Sequence, residues 1–279
     1  MKIALDAMGG DFAPEAAVHG ALDALNIDNA LELYLVGNED LIKNFLPSPQ
    51  PNHIHLIPTT QVVTMHDRGS RVLKEKPDSS LVKGVELLKD GIVDAFVSAG
   101  HTGAVLSSAI LTLGRIEGAK RPALGAYIPT DKGGKILCDV GANPDAKPNH
   151  LMQFAIMASL YLDHVEKIKN PKIGLINIGT EPGKGSELYR QAYDLLKQEF
   201  PSFIGNVESR NILTSEADVL ICDGFVGNTL IKFAEGWISL FSDMVKNKID
   251  EKLTYKMGAK ILYPVLKSIN SQYDYEEHG

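Results

Sequence analysis

Short apolar runs recur along the chain and alternate with longer stretches in which apolar residues repeat at helical spacing. The apolar runs predict seven β-strands, at residues 2–6, 31–36, 53–57, 95–98, 135–139, 172–178 and 219–222. Several of these runs have no polar alternation, which is typical of strands buried on both faces of a parallel sheet. Their alternation with helices predicts an α/β fold with a mostly parallel sheet covered by helices.

Glycine-rich polar loops follow five of the predicted strands. Their sequences are AMGGDFAPE after Asp6, AGHTGA after Ser98, VGANPDAKP after Asp139, GTEPGKGS after Ile178 and DGFVGN after Cys222. In an open parallel sheet such loops lie outside the carboxyl ends of the strands, where ligands bind. Glycine lets backbone N–H groups approach a ligand, and the helix N-termini that follow favour an anion. The loops predict one polar cleft for an anion, although the same residue types form turns and N-caps in any α/β protein.

The composition is that of an ordinary globular protein, since 44% of the 279 residues are hydrophobic and 23% are charged. A net charge of −7 argues against a nucleic-acid-binding protein, which needs a basic surface. Cys138 and Cys222 both lie in apolar runs, which favours a reducing compartment over a disulfide framework. Asp6 interrupts the apolar N-terminus too early for a signal peptide, and no uncharged stretch is long enough to span a bilayer. We therefore expect a cytoplasmic protein that at most associates peripherally with a membrane.

The loop from Gly179 to Ser186 resembles a nucleotide phosphate loop but differs from it at two points. It is one residue too short, and Gly185 stands where Ser or Thr would bind magnesium. A lysine between glycines can still present its charge and the neighbouring amides to a phosphate. Lys184 is therefore a candidate phosphate-binding residue, with a solvated loop lysine as the alternative.

Acidic residues lie near several predicted strand ends, at Asp6, Asp11, Asp139, Asp145, Glu181 and Asp223. A divalent metal is one use for such a set. However, the first strand lacks the D-x-D pattern of aspartyl-phosphate phosphatases, and we predict neither a metal nor a cofactor. Asp11 precedes Pro14 and suits a helix cap. Asp223 is the candidate general base.

Covalent catalysis has little support in the sequence. It contains neither a G-x-S-x-G nucleophile elbow nor an H-E-x-x-H zinc motif. Cysteines in apolar runs are normally inert packing residues. Among eight histidines only His101 lies in a glycine loop. It is a candidate hydrogen-bond donor or proton-transfer group, with a surface or turn role as the alternative.

The C-terminal region, at about 235–270, has an amphipathic helical pattern. Apolar residues recur at every fourth position, at Trp237, Phe241, Val245, Ile249, Leu253, Met257, Ile261, Val265 and Ile269. Four more apolar residues widen this apolar stripe, Leu240, Met244, Leu262 and Leu266. Gly258 and Pro264 are expected to break this pattern into two helices. Between residues 237 and 270 the chain holds six lysines and three acids. The pattern predicts a packed helical pair or a dimer interface, and it also suits an anionic membrane surface or an acidic partner protein.

Five motifs in order resemble those of the bacterial phosphate acyltransferases: ALDAMGGDFAPE, SAGHTGA, DVGANPDAKP, FIGNVE and CDGFVGN. The resemblance runs along the whole chain. It implies a three-layer α/β/α sandwich similar to that of the phosphotransacetylases and the isocitrate dehydrogenase group, expected here as a single catalytic domain over residues 1–279 with a C-terminal helical pair. It also implies that acyl phosphate is made from acyl-acyl-carrier-protein and inorganic phosphate, as the first step of one route into phospholipid synthesis.

The resemblance also implies partners. The family is usually homodimeric, works at the membrane surface and passes acyl phosphate to a membrane-bound glycerol-3-phosphate acyltransferase. We therefore expect acyl carrier protein, inorganic phosphate, a second copy of the chain and, transiently, an anionic membrane surface as partners, and no nucleic acid.

In this chemistry a phosphate oxygen attacks the thioester carbonyl directly, so the protein supplies positioning and oxyanion stabilisation. The expected catalytic residues are Asp223, Asn228, His101 and Lys184. Substrate-binding residues are expected in the loops, at Asp6, Gly9, Gly10, Gly100, Thr102, Gly103, Asp139, Asn143, Lys147, Asn177, Gly179, Gly183, Gly185 and Gly224. Lys184 and the amides of Gly183 and Gly185 are expected to hold phosphate.

Three positions depart from the family pattern. His101 stands where the family usually has Asn, Lys74 stands where Arg is expected, and the chain stops at Gly279, where the family continues with a further glycine-rich motif. Two other functions stay open. One is a short-chain phosphotransacetylase that uses coenzyme A thioesters, and the other is a subunit that binds carrier protein without catalysis. A metal-dependent phosphatase is the least favoured.

Overall fold

The structure is a computed structural model and describes residues 1–130 and 133–272. The chain divides into two compact units, Met1–Glu117 and Gly118–Gly279. Each unit has its own β-sheet with helices, so the predicted α/β class with mostly parallel strands is confirmed. The strands form two sheets, whereas the sequence pattern was compatible with one. The single catalytic domain stays a prediction.

The first unit contains a parallel four-stranded sheet in the order β3-β2-β1-β4. The strands are β1 (Lys2–Asp6), β2 (Glu32–Gly37), β3 (Ile54–Pro58) and β4 (Ala95–Val97). The helices are α1 (Glu15–Ile27), α2 (Glu39–Lys43), α3 (Val72–Glu75), α4 (Ser80–Lys89) and α5 (Thr102–Leu113), with a 3-10 turn at Gly69–Arg71. β1 and β2 pair in register from Lys2 with Glu32 to Asp6 with Val36.

Burial on both faces explains why the strands of this sheet are apolar without alternation. On one face, Leu33 and Leu35 of β2 pack in a cluster with Val18 of α1. On the other face, Ala4 and Val36 belong to a separate cluster. A parallel sheet covered on both sides in this way requires apolar residues at successive positions.

The second unit contains a five-stranded sheet in the order β5-β6-β9-β7-β8, in which only β5 is antiparallel to its neighbour. The strands are β5 (Gly125–Thr130), β6 (Gly133–Cys138), β7 (Ile173–Asn177), β8 (Phe203–Glu208) and β9 (Val219–Ile221). The helices are α6 (Pro148–His164), α7 (Glu187–Glu199), α8 (Gly224–Asp250) and α9 (Leu253–Gln272), with a 3-10 turn at Ser209–Asn211. A buried cluster that includes Phe154 of α6, Leu196 of α7 and Ile221 of β9 forms the main core.

All seven predicted strands are confirmed, with ends that differ by one or two residues. Two strands were not predicted, β5 and β8. Two C-terminal helices are also confirmed, but the expected break at Gly258 and Pro264 is wrong. Both residues lie inside α9, and the chain turns at Glu251 and Lys252. The Lys252 carbonyl accepts hydrogen bonds from the amides of Tyr255 and Lys256 in the first turn of α9.

Pro264 is tolerated inside α9 because the surrounding helix is exposed, so the carbonyl that loses its partner can bond to water. The apolar stripe is also exposed within the single chain, as at Trp237, which is 58% exposed, and Ile261, which is 76% exposed. The side chains of Leu266 and Ile269 lie outside the described residues. Among the residues that are described, no helix is sufficiently long and apolar to cross a membrane.

Candidate active site

Asp6 ends β1, and its side chain holds together the two glycine loops of the first unit. The residue is buried. Its Oδ2 accepts a hydrogen bond from Ser98 Oγ at 2.8 Å, and Ser98 Oγ accepts one from the Gly100 amide at 3.1 Å. A Cβ atom on Gly9 would lie 2.7 Å from Asp6 Oδ2 and 2.9 Å from the Gly100 nitrogen. Glycine is therefore required at residue 9. The carboxylate of Asp6 already accepts hydrogen bonds inside the protein.

His101 is the N-cap residue of α5. Its Nδ1 accepts a hydrogen bond from the Ala104 amide at 3.3 Å. The side-chain oxygen of Asn, the residue that the resemblance leads us to expect here, can make the same contact. Because Nδ1 is the acceptor, the proton of the neutral ring lies on Nε2 and can be donated. Thr102 is exposed in the first turn, and the backbone of Gly103 packs closely on Gly69, where a Cβ atom would lie 2.6 Å from the Gly103 carbonyl carbon.

A cleft of about 380 Å³ lies beside these loops, entirely within the first unit. Its lining combines two kinds of residue. The glycine loops contribute the residues Gly10, Asp11, Ala99, Gly100 and His101. The other lining residues are apolar except for Thr64, and they are Met8, Val62, Val63 and Met65. Such a lining suits a ligand with both a polar group and an apolar group.

Asp139 organises the loop after β6 in the second unit. It is fully buried, and its two oxygens accept five hydrogen bonds. Oδ1 accepts from the amides of Leu124, Gly141 and Ala142 at 3.0 to 3.3 Å. Oδ2 accepts from the Asn143 amide at 2.7 Å and from its side-chain nitrogen at 2.9 Å. Both Asp139 and Asn143 thus have internal partners that fix the loop.

Asn177 fixes the glycine-rich loop that carries Lys184. Its Nδ2 donates to the Lys184 carbonyl at 3.0 Å and to Asn206 Oδ1 at 3.1 Å. Gly185 has a φ of +88° and packs against Asn177, so a side chain there would be strained and would clash. The Lys184 side chain is exposed, and no described residue forms a hydrogen bond or ion pair with its ammonium group. The loop therefore presents this lysine to solvent.

Two further loop glycines differ in their surroundings. Gly183 is exposed, and a Cβ atom there would meet nothing within 4 Å. A Cβ atom on Gly179 would lie 2.8 Å from Glu181 Oε2. Gly183 thus leaves an open approach to its amide, whereas Gly179 packs against the flexible side chains of Glu181 and Lys184.

Asp223 is the N-cap residue of α8 and is buried. Its Oδ1 accepts from the amides of Phe225 and Val226 at 2.9 and 3.0 Å, and its Oδ2 accepts from Tyr189 Oη at 2.7 Å. Burial, with the carboxylate of Asp223 as the second cause, raises the pKa of Tyr189 far above its usual range. Tyr189 is therefore a neutral donor to Asp223.

The first turn of α8 also packs closely on the loop after β6. The Gly224 amide donates to the Asn143 carbonyl at 2.9 Å. A Cβ atom on Gly227 would lie 2.0 Å from the Asp139 carbonyl oxygen. Asn228 follows on the exposed side of the same turn.

Cys138 and Cys222 are buried and not joined by a disulfide. Desolvation by burial, together with the charge of a neighbouring aspartate, raises the pKa of both thiols well above the usual range. A thiol in this state is a poor nucleophile, since the thiolate is the reactive form.

Comparison with known proteins identifies the family of this chain. The family described as "Fatty acid synthesis protein" matches residues 1–279. The phosphate acyltransferase of Brevibacillus brevis is 45% identical over 280 residues, which cover 100% of this chain and 84% of that protein. The phosphate acyltransferase of Desulfitobacterium hafniense is 46% identical over 281 residues, with the same coverage of each chain. This chain belongs to the phosphate acyltransferase family. It is therefore an acyltransferase that transfers an acyl group to phosphate.

Solved structures support the fold. A phosphotransacetylase from Streptococcus pyogenes matches with a TM-score of 0.61 and 18% identity, over 85% of this chain and 82% of that chain. A branched-chain phosphotransacylase from Enterococcus faecalis matches with a TM-score of 0.58 and 16% identity, over 83% of each chain. The predicted likeness to the phosphotransacetylase fold is confirmed.

The structure sorts the predicted site residues of this acyltransferase into two groups. Those with free or exposed polar groups are Lys184, Asn228, Thr102, Lys147 and the amide of Gly183. Those whose polar side chains are buried and hydrogen-bonded inside the protein are Asp6, Asp139, Asn143, Asn177 and Asp223. Three residues that hold the loops were not predicted, Ser98, Tyr189 and Asn206. Ser98 and Asn206 lie inside the motifs SAGHTGA and FIGNVE, whereas Tyr189 lies in none. Their roles were missed because each forms a hydrogen bond with a partner that is distant in sequence.

Proposed function

We propose that this acyltransferase converts acyl-acyl-carrier-protein and inorganic phosphate to acyl phosphate and free carrier protein, for phospholipid synthesis. The choice of a thioester as the acyl donor rests on the cleft of the first unit. An acyl thioester has a polar carbonyl and an apolar chain, and the cleft combines the backbone of Gly10 and Gly100 with the apolar side chains of Val62 and Met65. The family's description as a fatty acid synthesis protein supports a fatty acyl donor.

The reaction needs no enzyme nucleophile. A phosphate oxygen forms a bond to the carbonyl carbon, and the carbon–sulfur bond then breaks. The thiolate of the carrier leaves and takes up the proton that the phosphate gives up. The raised pKa of Cys138 and Cys222 supports this direct attack over a covalent enzyme intermediate. The protein then acts by positioning phosphate and by stabilising the oxyanion.

We assign phosphate binding to Lys184 and to the amides of Gly183 and Gly185. The exposure of the Lys184 side chain supports this role. Donation to the phosphate or to the oxyanion is assigned to Asn228, Thr102 and His101.

The other buried groups are assigned supporting roles. We assign Asp223 to orientation of the first turn of α8, because both of its oxygens already accept hydrogen bonds. Asp6, Asp139 and Asn177 are assigned to holding their loops around the substrates.

A homodimer and transient contact with an anionic membrane belong to the same proposal. Apolar residues such as Trp237, Phe241 and Ile261 are more than half exposed on α8 and α9. Exposed apolar surface of this extent is typical of interaction sites. At the membrane, acyl phosphate would pass to a membrane-bound glycerol-3-phosphate acyltransferase.

The first test is release of free carrier thiol from acyl-acyl-carrier-protein, with and without inorganic phosphate, with hydroxylamine to trap acyl phosphate. Phosphate-dependent hydroxamate is the expected result. Turnover of coenzyme A thioesters alone would favour a short-chain phosphotransacetylase. Binding of carrier protein without any turnover would favour a binding subunit.

The Lys184→Ala variant tests the phosphate-binding role. We expect the KM for phosphate to rise about tenfold or more, since hydrogen bonds to charged groups contribute about 1.5–3 kcal/mol. Lys197→Ala is the matched control, because Lys197 is an exposed lysine on α7. An unchanged KM and kcat in Lys184→Ala would remove this residue from the site.

A further inference from the structure

A second cleft, of about 700 Å³, lies within the second unit between the first turn of α6 and the exposed face of α7. Its lining shares only Lys147 and Pro148 with the glycine loops. Lys120, Lys147 and His150 line one side, and Gln191, Asp194 and Gln198 of α7 line the other. The proposed reaction assigns no role to these residues, although the sequence predicted Lys147 as a substrate-binding residue.

The charge around this cleft is the reverse of the charge of the whole chain. Lys120 and Lys147 line it, and Arg121 lies close enough for its charge, with that of the two lysines, to act on His150. Among the described residues that line the cleft, Asp194 is the one carboxylate. The chain as a whole has a net charge of −7. The cleft lining thus carries two cations and one carboxylate, and the nearby charge of Arg121 makes this part of an acidic protein locally basic.

His150 supplies a neutral donor at the buried side of the cleft. The residue is 9% exposed, and its Nδ1 accepts a hydrogen bond from the Lys147 amide at 3.2 Å. The ring proton therefore lies on Nε2, which has no hydrogen-bond partner among the described residues. Burial, and then the charges of Arg121, Lys147 and Lys120, lower the pKa of His150, which keeps the ring neutral.

We propose that this cleft is a docking site for acidic side chains of the acyl carrier protein. The inference rests on the proposed function. The cations lie on an open rim that spans the segment before β5 and the start of α6, and this arrangement suits several carboxylates on a protein surface. The Nε2–H of His150, which lines the cleft, adds one hydrogen-bond donor, and the amide groups of Gln191 and Gln198 add neutral ones. The occupant is thus an acidic face of the carrier, and a single phosphate ion would leave most of the cleft unfilled.

Charged residues at the edge of a binding site mainly change the rate at which the partner associates. Opposite charges raise the association rate, and salt reduces the effect, because the screening length is about 8 Å at physiological ionic strength. Loss of a rim cation should therefore weaken carrier binding most at low salt. It should leave the chemical step unchanged, because the cleft holds neither the thioester nor the attacking phosphate in the proposed reaction.

The test is the affinity of the full chain for fluorescently labelled acyl carrier protein, measured by anisotropy at low and high salt. Arg121→Glu is the main variant, and Lys89→Glu is the matched control, because Lys89 is an exposed lysine on α4 in the other unit. We expect the Kd of Arg121→Glu to rise about five- to tenfold at low salt and much less at high salt. The control should bind as the unaltered chain does.

A second variant tests the Nε2–H donor of His150. His150→Asn retains an acceptor near the Lys147 amide but removes the Nε2–H, and circular dichroism shows whether it folds. We expect a Kd raised about threefold or more, with less salt dependence than in Arg121→Glu.

Kinetics separate this inference from the proposed function. For Arg121→Glu, the KM for the carrier thioester should rise while kcat and the KM for phosphate stay unchanged. Equal affinity of Arg121→Glu and Lys89→Glu for the carrier would overturn the docking site, whether or not the enzyme turns over. A raised KM for phosphate with unchanged carrier affinity would also overturn it. Failure of the proposed function would instead appear as no phosphate-dependent hydroxamate from the unaltered chain, irrespective of these variants.

Discussion

The buried carboxylate of Asp139 gives the sharpest test of how the second unit is built. The structure assigns it five internal hydrogen bonds, so its first role is to hold the loop that follows β6. In Asp139→Asn, one oxygen becomes an NH2 group. If the remaining oxygen keeps the three amides on Oδ1, the new NH2 group faces the two donors of Asn143, and donors cannot bond to each other.

The size of the effect follows from these two donors. Asn143 is 7% exposed, so water cannot readily replace the lost acceptor. A buried donor without a partner costs about 1–3 kcal/mol. We therefore expect Asp139→Asn to lower the free energy of unfolding by about 2–4 kcal/mol, which is a large share of the roughly 5–15 kcal/mol of a typical domain.

Urea unfolding followed by circular dichroism measures this loss, and hydrogen exchange of residues 122–143 shows whether it is local. Asp145→Asn is the matched control, because Asp145 is an exposed aspartate on the same loop. The control should stay within about 0.5 kcal/mol of the unaltered chain. If Asp139→Asn were as stable as the control but lost turnover, the carboxylate would act on the substrate and the structural reasoning would be refuted.

The remaining predictions concern a glycine pair and an ion pair. In α8, Gly227→Ala should destabilise the protein by about 1–3 kcal/mol, because its Cβ would lie 2.0 Å from the Asp139 carbonyl oxygen, whereas Gly236→Ala in open space should stabilise it by up to about 1 kcal/mol. Thermal unfolding distinguishes the two, and equal effects would refute the close contact. In the first unit, a hydrogen-bonded ion pair with Lys76 lowers the pKa of Asp67 from 3.8 to about 2. The stability from this pair is present above pH 4 and is lost as the pH falls towards 2, so the difference between the unaltered chain and Lys76→Met should shrink over that range. NMR titration of Asp67 in the variant should give a pKa closer to 3.8, and an unchanged value would contradict the assignment.

The sequence pattern predicted the strands that are buried on both faces, because such strands are uninterrupted apolar runs. It missed β5, whose sequence GAYIPT contains glycine and proline and which lies at the edge of its sheet. It also missed β8, the other edge strand of that sheet, where FIGNVE mixes apolar and polar residues. Edge strands need fewer apolar residues and tolerate proline, so their pattern is weak.

The position of the break between the C-terminal helices was predicted wrongly for a related reason. Proline and glycine end helices by local preference, and Gly258 and Pro264 were expected to do so here. Local preference is a weak guide where neighbouring backbone groups can bond to water, as on the exposed surface of α9. The turn instead falls at Glu251 and Lys252, between Ile249 and Leu253. The apolar repeat continues across these two residues without interruption, so the pattern did not mark the turn.

The glycine loops were found from the sequence, but the sequence alone does not separate groups that bind substrate from groups that hold a loop. Aspartate serves as a ligand group and as an N-cap with the same local spacing. Only the fold shows that Tyr189, which lies on a different helix, donates a hydrogen bond to the carboxylate of Asp223. A polar group that is already satisfied must give up a partner to bind substrate, whereas the exposed ammonium of Lys184 gives up only water. Substitutions at Lys184 and Asn228 should therefore change kinetic constants in a folded enzyme, whereas substitutions at Asp139 and Asp223 should first change stability.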